Sequence, residues 1–117
     1  TFAYPYGASN SNVRTFVSQN FAGARGTDNG YIDSTSDRYN LPSWDIGGMD
    51  FAQIQAIIDG AVAEKKWVIL IVHKVDVAGD PESVSSEVLQ EAIDYAQEKQ
   101  MQFVTNSQGL AAIESTN

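Results

Sequence analysis

Two apolar rhythms alternate along this chain. Phe2 to Tyr4 is a short apolar stretch stopped by Pro5 and Gly7, and it predicts a strand. A polar turn, Ala8 to Asn12, offers several helix N-caps. Val13, Phe16 and Val17 then recur at i, i+3 and i+4, which predicts a short helix. Phe21 to Arg25 is a second strand. Gly26 to Ile46 is rich in Gly, Asp, Ser and Asn, with Asn29-Gly30 as a turn signal, and it predicts a long loop. Loops of this length inside a domain are functional or disordered.

Asp50 is placed to cap a helix in which Phe51, Ile54, Ile57, Ile58, Ala61 and Val62 make one stripe. Lys65 and Lys66 sit near its end, as the helix dipole favours. Trp67 to Val72 is continuously apolar, the pattern of a parallel strand buried on both faces. His73 follows it at once, and Lys74 to Val84 is a second polar loop. Ser85 or Ser86 caps a helix with Val88, Leu89, Ala92, Ile93 and Ala96 inward. Met101 to Thr105 predicts a last strand, and Asn106 or Ser107 caps a short helix carrying Leu110 and Ile113.

Four β/α units in series predict an α/β domain with a parallel sheet and helices packed outside. Two layouts fit: an open doubly wound sheet, or half of a closed barrel. The first needs a phosphate-binding first loop, and Gly7 to Asn12 holds a single Gly.

The chain has 117 residues, one domain's worth or part of one. Its 7 basic and 15 acidic side chains give a net charge of −8. That balance argues against nucleic acid as partner, because phosphate affinity is built from Lys and Arg clusters. The longest apolar run, Trp67 to Val72, is far too short to cross a membrane, so no membrane insertion is expected. Cysteine is absent, which removes disulfides, thiolate metal sites and a cysteine nucleophile. The chain opens on Thr1 in a strand-like segment with no initiator Met, so it is expected to be a piece of something longer.

His73 is the sharpest candidate for chemistry. It is the chain's one histidine, and it ends the most apolar strand. The C-terminal edge of parallel strands is where α/β proteins place catalytic groups. Imidazole titrates near neutrality and suits proton transfer. The plain alternative is a histidine that bonds a loop. Arg25 ends the second strand at the same edge and can fix an anion, or merely pair with Asp28. Tyr4, Tyr6, Tyr39 and Trp44 lie near that edge and suit sugar stacking, with core burial the alternative for Tyr4. Asp28, Asp33, Asp37 and Asp45 read as a solvated loop, without Ca²⁺-loop spacing. Asp76 is the one acid close behind His73 in sequence. One His with scattered carboxylates is poor material for zinc within this chain.

Phe-Ala-Tyr-Pro-Tyr-Gly at 2 to 7, Ala24-Arg25-Gly26, and Trp67 through His73-Lys74-Val75 resemble, in order and spacing, the C-terminal half of the NodB-type polysaccharide deacetylases, carbohydrate esterase family 4. The resemblance covers nearly the whole chain. It implies four β/α units forming the C-terminal half of a distorted (β/α)7 barrel, residues 1–117 being part of one domain. It implies an enzyme that removes acetyl groups from N-acetylated sugars with one divalent metal, zinc by preference. By the match, Pro5-Tyr6-Gly7 is the third motif, with the Tyr6 N–H on the oxyanion. Ile71-Val72-His73 is the fifth, with His73 as general acid and Ile71 lining the acetyl-methyl pocket. Trp44 and Asp45 fall where the fourth motif lies, and Tyr4, Trp44 and Asp45 are expected, with Ile71, to touch substrate. An Arg expected before Pro5 is replaced by Ala3-Tyr4, and Arg25 can supply that role from the next strand.

The family's first and second motifs, which hold the base and the metal ligands, precede the third and are not in this chain. The segment alone is therefore expected to bind no metal and to be inactive. An opened barrel also exposes edges and an apolar face, so pairing with an N-terminal half or with a second copy is expected. The expected partner is a polysaccharide, and the expected location is extracellular or in the cell envelope. The competing reading is an inactive deacetylase-like module that holds glycan in a cell-surface or phage tail protein.

Overall fold

The computed structural model describes residues 1–115. Its helices start where polar side chains can take up free backbone N–H groups. After the strand β1 (Phe2–Ala3) and a single 3-10 turn at Pro5–Gly7, Asn10 accepts the Val13 N–H and starts α1 (Ser11–Asn20). Strands β2 (Ala24–Arg25) and β3 (Trp44–Asp45) follow. Asp50 and Gln53 form a reciprocal capping box at the start of α2 (Phe51–Glu64), and Lys65 closes it in a left-handed conformation. Then come β4 (Leu70–Ile71), β5 (Lys74–Val75) and β6 (Ser83–Val84). Ser85 caps α3 (Ser86–Glu98). Thr105, with Gln108, caps α4 (Asn106–Glu114), one residue ahead of the earliest expected cap.

The architecture is α/β, with four helices and small parallel sheets. β1 pairs with β2, β3 with β4, and β5 with β6, all in parallel. The segment around β3 links the first two ladders. Leu41 bonds back to β2 through Ala24 O and Gly26 N, while Trp44 N and Ile46 N reach Ile69 O and Ile71 O on the other side. β1, β2, β3 and β4 therefore run the same way and present their C-terminal ends together. Among the described residues the ladders do not close into a barrel.

The core divides into three clusters. The largest packs α2 and α3 onto the strands through Ile46, Ile54, Ile57, Ile58, Val84, Ala92 and Ala96. A second joins Tyr4, Val17 and Ala24. A third joins Ile32, Leu41 and Leu110, with Trp67, Ile69 and Ile113 against it. Ser43 is fully buried and its hydroxyl donates to Gly26 O at 2.8 Å. That bond keeps the β3 segment on β2 without an orphaned buried polar group.

Four expectations from the sequence need correction. The stretch Gly26 to Ile46 is not all loop, because Leu41 and β3 enter the ladders. Trp67 to Val72 is not buried on both faces: residues 67–71 are half-buried and Val72 is exposed. Met101 to Thr105 forms no ladder, and Phe103 and Val104 are exposed. In α1 only Val17 is buried, while Val13 and Phe16 face out, because nothing among the described residues packs over that side of the helix.

Candidate functional site

Parallel strands that end together bring distant residues to one edge. Here the Pro5–Gly7 turn follows β1, Arg25 ends β2, Asp45 ends β3, and His73 stands two residues past β4. Side chains alternate along β3. Trp44 and Ile46 pack toward α2 and α3, so Asp45 points to the opposite face. Ile71 lies opposite Asp45 in register, and His73 shares the face of Ile71 by the period of two.

The result is a pair. Asp45 Oδ2 lies 3.2 Å from His73 Nε2. The other carboxylate oxygen, Oδ1, accepts the Gly47 N–H at 2.9 Å, which fixes the carboxylate before it meets the ring. Both side chains remain about half exposed, at 50% and 49%, so the pair is open to a ligand. With Nε2 turned to Asp45, the doubly protonated ring has its other N–H to offer.

Tyr6 stands at φ 55°, ψ 20° with its side chain fully exposed, and Gly7 follows at φ 67°. A bulky residue in the left-handed region is strained, and such strain is concentrated at functional sites. The turn's own bonds run from Gly7 N to Tyr4 O and from Ala8 N to Pro5 O. The Tyr6 N–H is in neither. Arg25 is half-buried and its Nη1 donates only to Gly26 O, at 3.3 Å. It makes no ion pair with Asp28 among the described residues, so the plain surface-pair alternative is not what forms.

Other candidates are spent elsewhere. Tyr4 is 3% exposed, its hydroxyl donates to Tyr39 O at 2.7 Å, and burial pushes its phenol up. It packs in the core with Val17 and Ala24, the alternative the sequence also allowed. Trp44 is half-buried, donates from Nε1 to Gly30 O at 3.0 Å, and tilts against Tyr31. Its indole faces the helices, away from Asp45, so it does not line the edge that Asp45 does. Asp76 accepts the Ser86 N–H, which holds its carboxyl below the usual range, and so serves the start of α3.

A divalent metal fits poorly here. Among the described residues no three His, Asp or Glu side chains come together, and the one His is already faced by Asp45. Two donors do not make a catalytic metal site. Spacing alone leaves Asp45 in a solvated loop and does not bring it to His73. The one signal for their meeting was the resemblance, whose fourth and fifth motifs fall on Trp44-Asp45 and on His73.

No family model, curated protein or solved structure matches this chain.

Proposed function

We propose that this chain is the C-terminal half of a distorted (β/α)7 barrel and part of a metal-dependent polysaccharide deacetylase. It acts on N-acetylated amino sugars of cell-wall or exopolysaccharide glycans, outside the cell or in its envelope. The observation that carries this reading is the Asp45–His73 pair at the C-terminal edge of the parallel strands. Two residues from separate β/α units meet there, which a strand-end histidine serving only a loop does not require.

Deacetylation adds water across the acetyl carbonyl and breaks the C–N bond, giving acetate and an amine. The leaving nitrogen must gain a proton. His73 supplies it from the ring nitrogen not turned to Asp45, and Asp45 is the positioning residue that sets the ring. The oxyanion of the tetrahedral intermediate takes the Tyr6 N–H, which makes neither of the turn's two hydrogen bonds. Ile71, opposite Asp45, lies along the acetyl methyl. Arg25, with no acidic partner among the described residues, holds a carboxylate at this edge. The described residues supply no group to activate the water, and the resemblance leaves that task to the metal-bearing half.

The test is acetate release from an N-acetylated chitooligosaccharide by the gene product that contains this chain. Release that depends on His73 supports the reading. Glycan binding without release favours the glycan-holding module instead.

A further inference from the structure

One short segment, residues 80–83, touches both flanks of the Asp45–His73 pair. On the Asp45 side, Gly48 donates its N–H to Ser83 O at 3.0 Å. Gly47 lies directly against the backbone of Glu82, where a Cβ would stand 2.8 Å from Glu82 O and 2.9 Å from its Cα. Gly47 is also the residue whose N–H holds Asp45 Oδ1. On the His73 side, Lys74 and Val75 pair in parallel with Ser83 and Val84. The Lys74 ammonium, one residue past His73, reaches Asp80 Oδ2 at 2.6 Å and Glu82 Oε2 at 3.3 Å.

This segment has little apolar burial to hold it. Val75 and Val77 are exposed, and from 74 to 84 only Val84 is buried. Polar bonds therefore set its shape, and Asp80 makes three of them. Its Oδ2 takes Lys74, its Oδ1 accepts the Glu82 N–H at 2.9 Å, and its carbonyl accepts the Ser83 N–H at 3.1 Å. A lone exposed ion pair adds little. Here one carboxylate is fixed by a backbone N–H and shares its cation with a second acid, which gives the contact a defined geometry. The Asp80 side chain is also the least exposed of the three, at 23%.

We propose that Asp80 is a positioning residue for the Asp45–His73 pair. Through Lys74 and the Glu82 N–H it seats the 80–83 segment against Gly47, and so fixes the carboxylate that sets the imidazole. The catalytic consequence rests on the deacetylase reading, whereas the ordering of the ring does not.

The test is ¹³C relaxation of the His73 ring, the chain's one imidazole, together with amide exchange at Gly47, both in the whole chain. In the parent the ring is expected to be as ordered as rigid backbone, with an order parameter of about 0.85. In Asp45→Asn it is expected to fall below about 0.6. Asp80→Asn is expected to match Asp45→Asn in the ring and to speed exchange at Gly47, with a melting temperature near the parent's. The double variant Lys74→Gln, Asp80→Asn loses one charge of each sign and is expected to be just as mobile. In acetate release, Asp80→Asn is expected to lower kcat by about 10- to 10²-fold with KM unchanged. A ring that stays ordered in Asp80→Asn, or is already mobile in the parent, would overturn the proposal. A mobile ring over an unchanged Gly47 amide would overturn the route through Gly47. A ring ordered again in the double variant would show charge acting on it directly, and would overturn the proposal too. No acetate from the parent, with the ring loosened as expected, would overturn the deacetylase reading and leave the positioning role standing.

Discussion

Asp45 and His73, from neighbouring parallel strands, meet at 3.2 Å between Oδ2 and Nε2 with both side chains half exposed. An exposed pair of this kind contributes about 0–1 kcal/mol to stability, so its removal leaves the fold in place. His73→Ala is expected to shift the melting temperature by only a few degrees in thermal unfolding. Asp45→Asn is expected to do the same while changing the pH profile of activity, which a merely structural carboxylate does not touch. A large loss of stability in either variant would move the pair from chemistry to structure.

Tyr6 separates strain from stability. A left-handed non-glycine residue costs roughly 1–2 kcal/mol, and glycine returns part of that through its looser unfolded state, about 0.5–1 kcal/mol. Tyr6→Gly is therefore expected to hold or slightly raise the melting temperature, since the ring is fully exposed. Activity is expected to fall, because a looser turn aims its N–H less well. A clear drop in stability would show that the ring packs on something.

Asp33 sets a limit on the acid side. Hydrogen bonds from the Thr35 hydroxyl and N–H, then Lys66, lower its carboxyl to about 2. A carboxyl lowered on folding stabilises above its ordinary range, and that contribution is lost as pH falls toward about 2. Asp33→Asn is expected to flatten the stability of the chain between about pH 4 and about pH 2, measured by urea unfolding. An unchanged acid slope in the variant would contradict this.

Gly109 marks a close approach. A Cβ there would come within 2.6 Å of the Trp67 ring, in the middle of α4. Helix propensity favours Ala by about 1 kcal/mol, but forcing a methyl into packed contact costs typically 1–3 kcal/mol. Gly109→Ala is thus expected to lower the melting temperature and to shift Trp67 fluorescence as α4 moves. A higher melting temperature would show that Trp67 yields freely.

Much of this layout was legible in the residues. The stripes of α2 and α3 and the caps at Asp50 and Ser85 follow from spacing, because helix rules act within four residues. β3 was not legible. Trp44 and Asp45 join a ladder only because Ile69 and Ile71 lie beside them, a tertiary fact with no local mark. Trp67 to Val72 misled in the opposite sense. Its apolar run matches burial on two faces, yet residues 67–71 are half-buried and Val72 is exposed, because among the described residues β4 pairs with β3 alone. At the site, His73 and Arg25 were placed at one edge by strand order, and Ile71 only by the family resemblance. Tyr4 and Trp44 were not, since side-chain direction depends on register, and a single step turns a residue from the edge into the core.

In the proposed function His73 acts as the acid in removing acetyl groups from an amino-sugar polymer. The most direct measurement is acetate release from an N-acetylated oligosaccharide by the gene product containing this chain, with His73→Ala beside it. Release by the parent and a loss of about 10²–10⁴-fold in the variant are expected, with glycan binding retained. No release by the parent, or equal release by both, would contradict it.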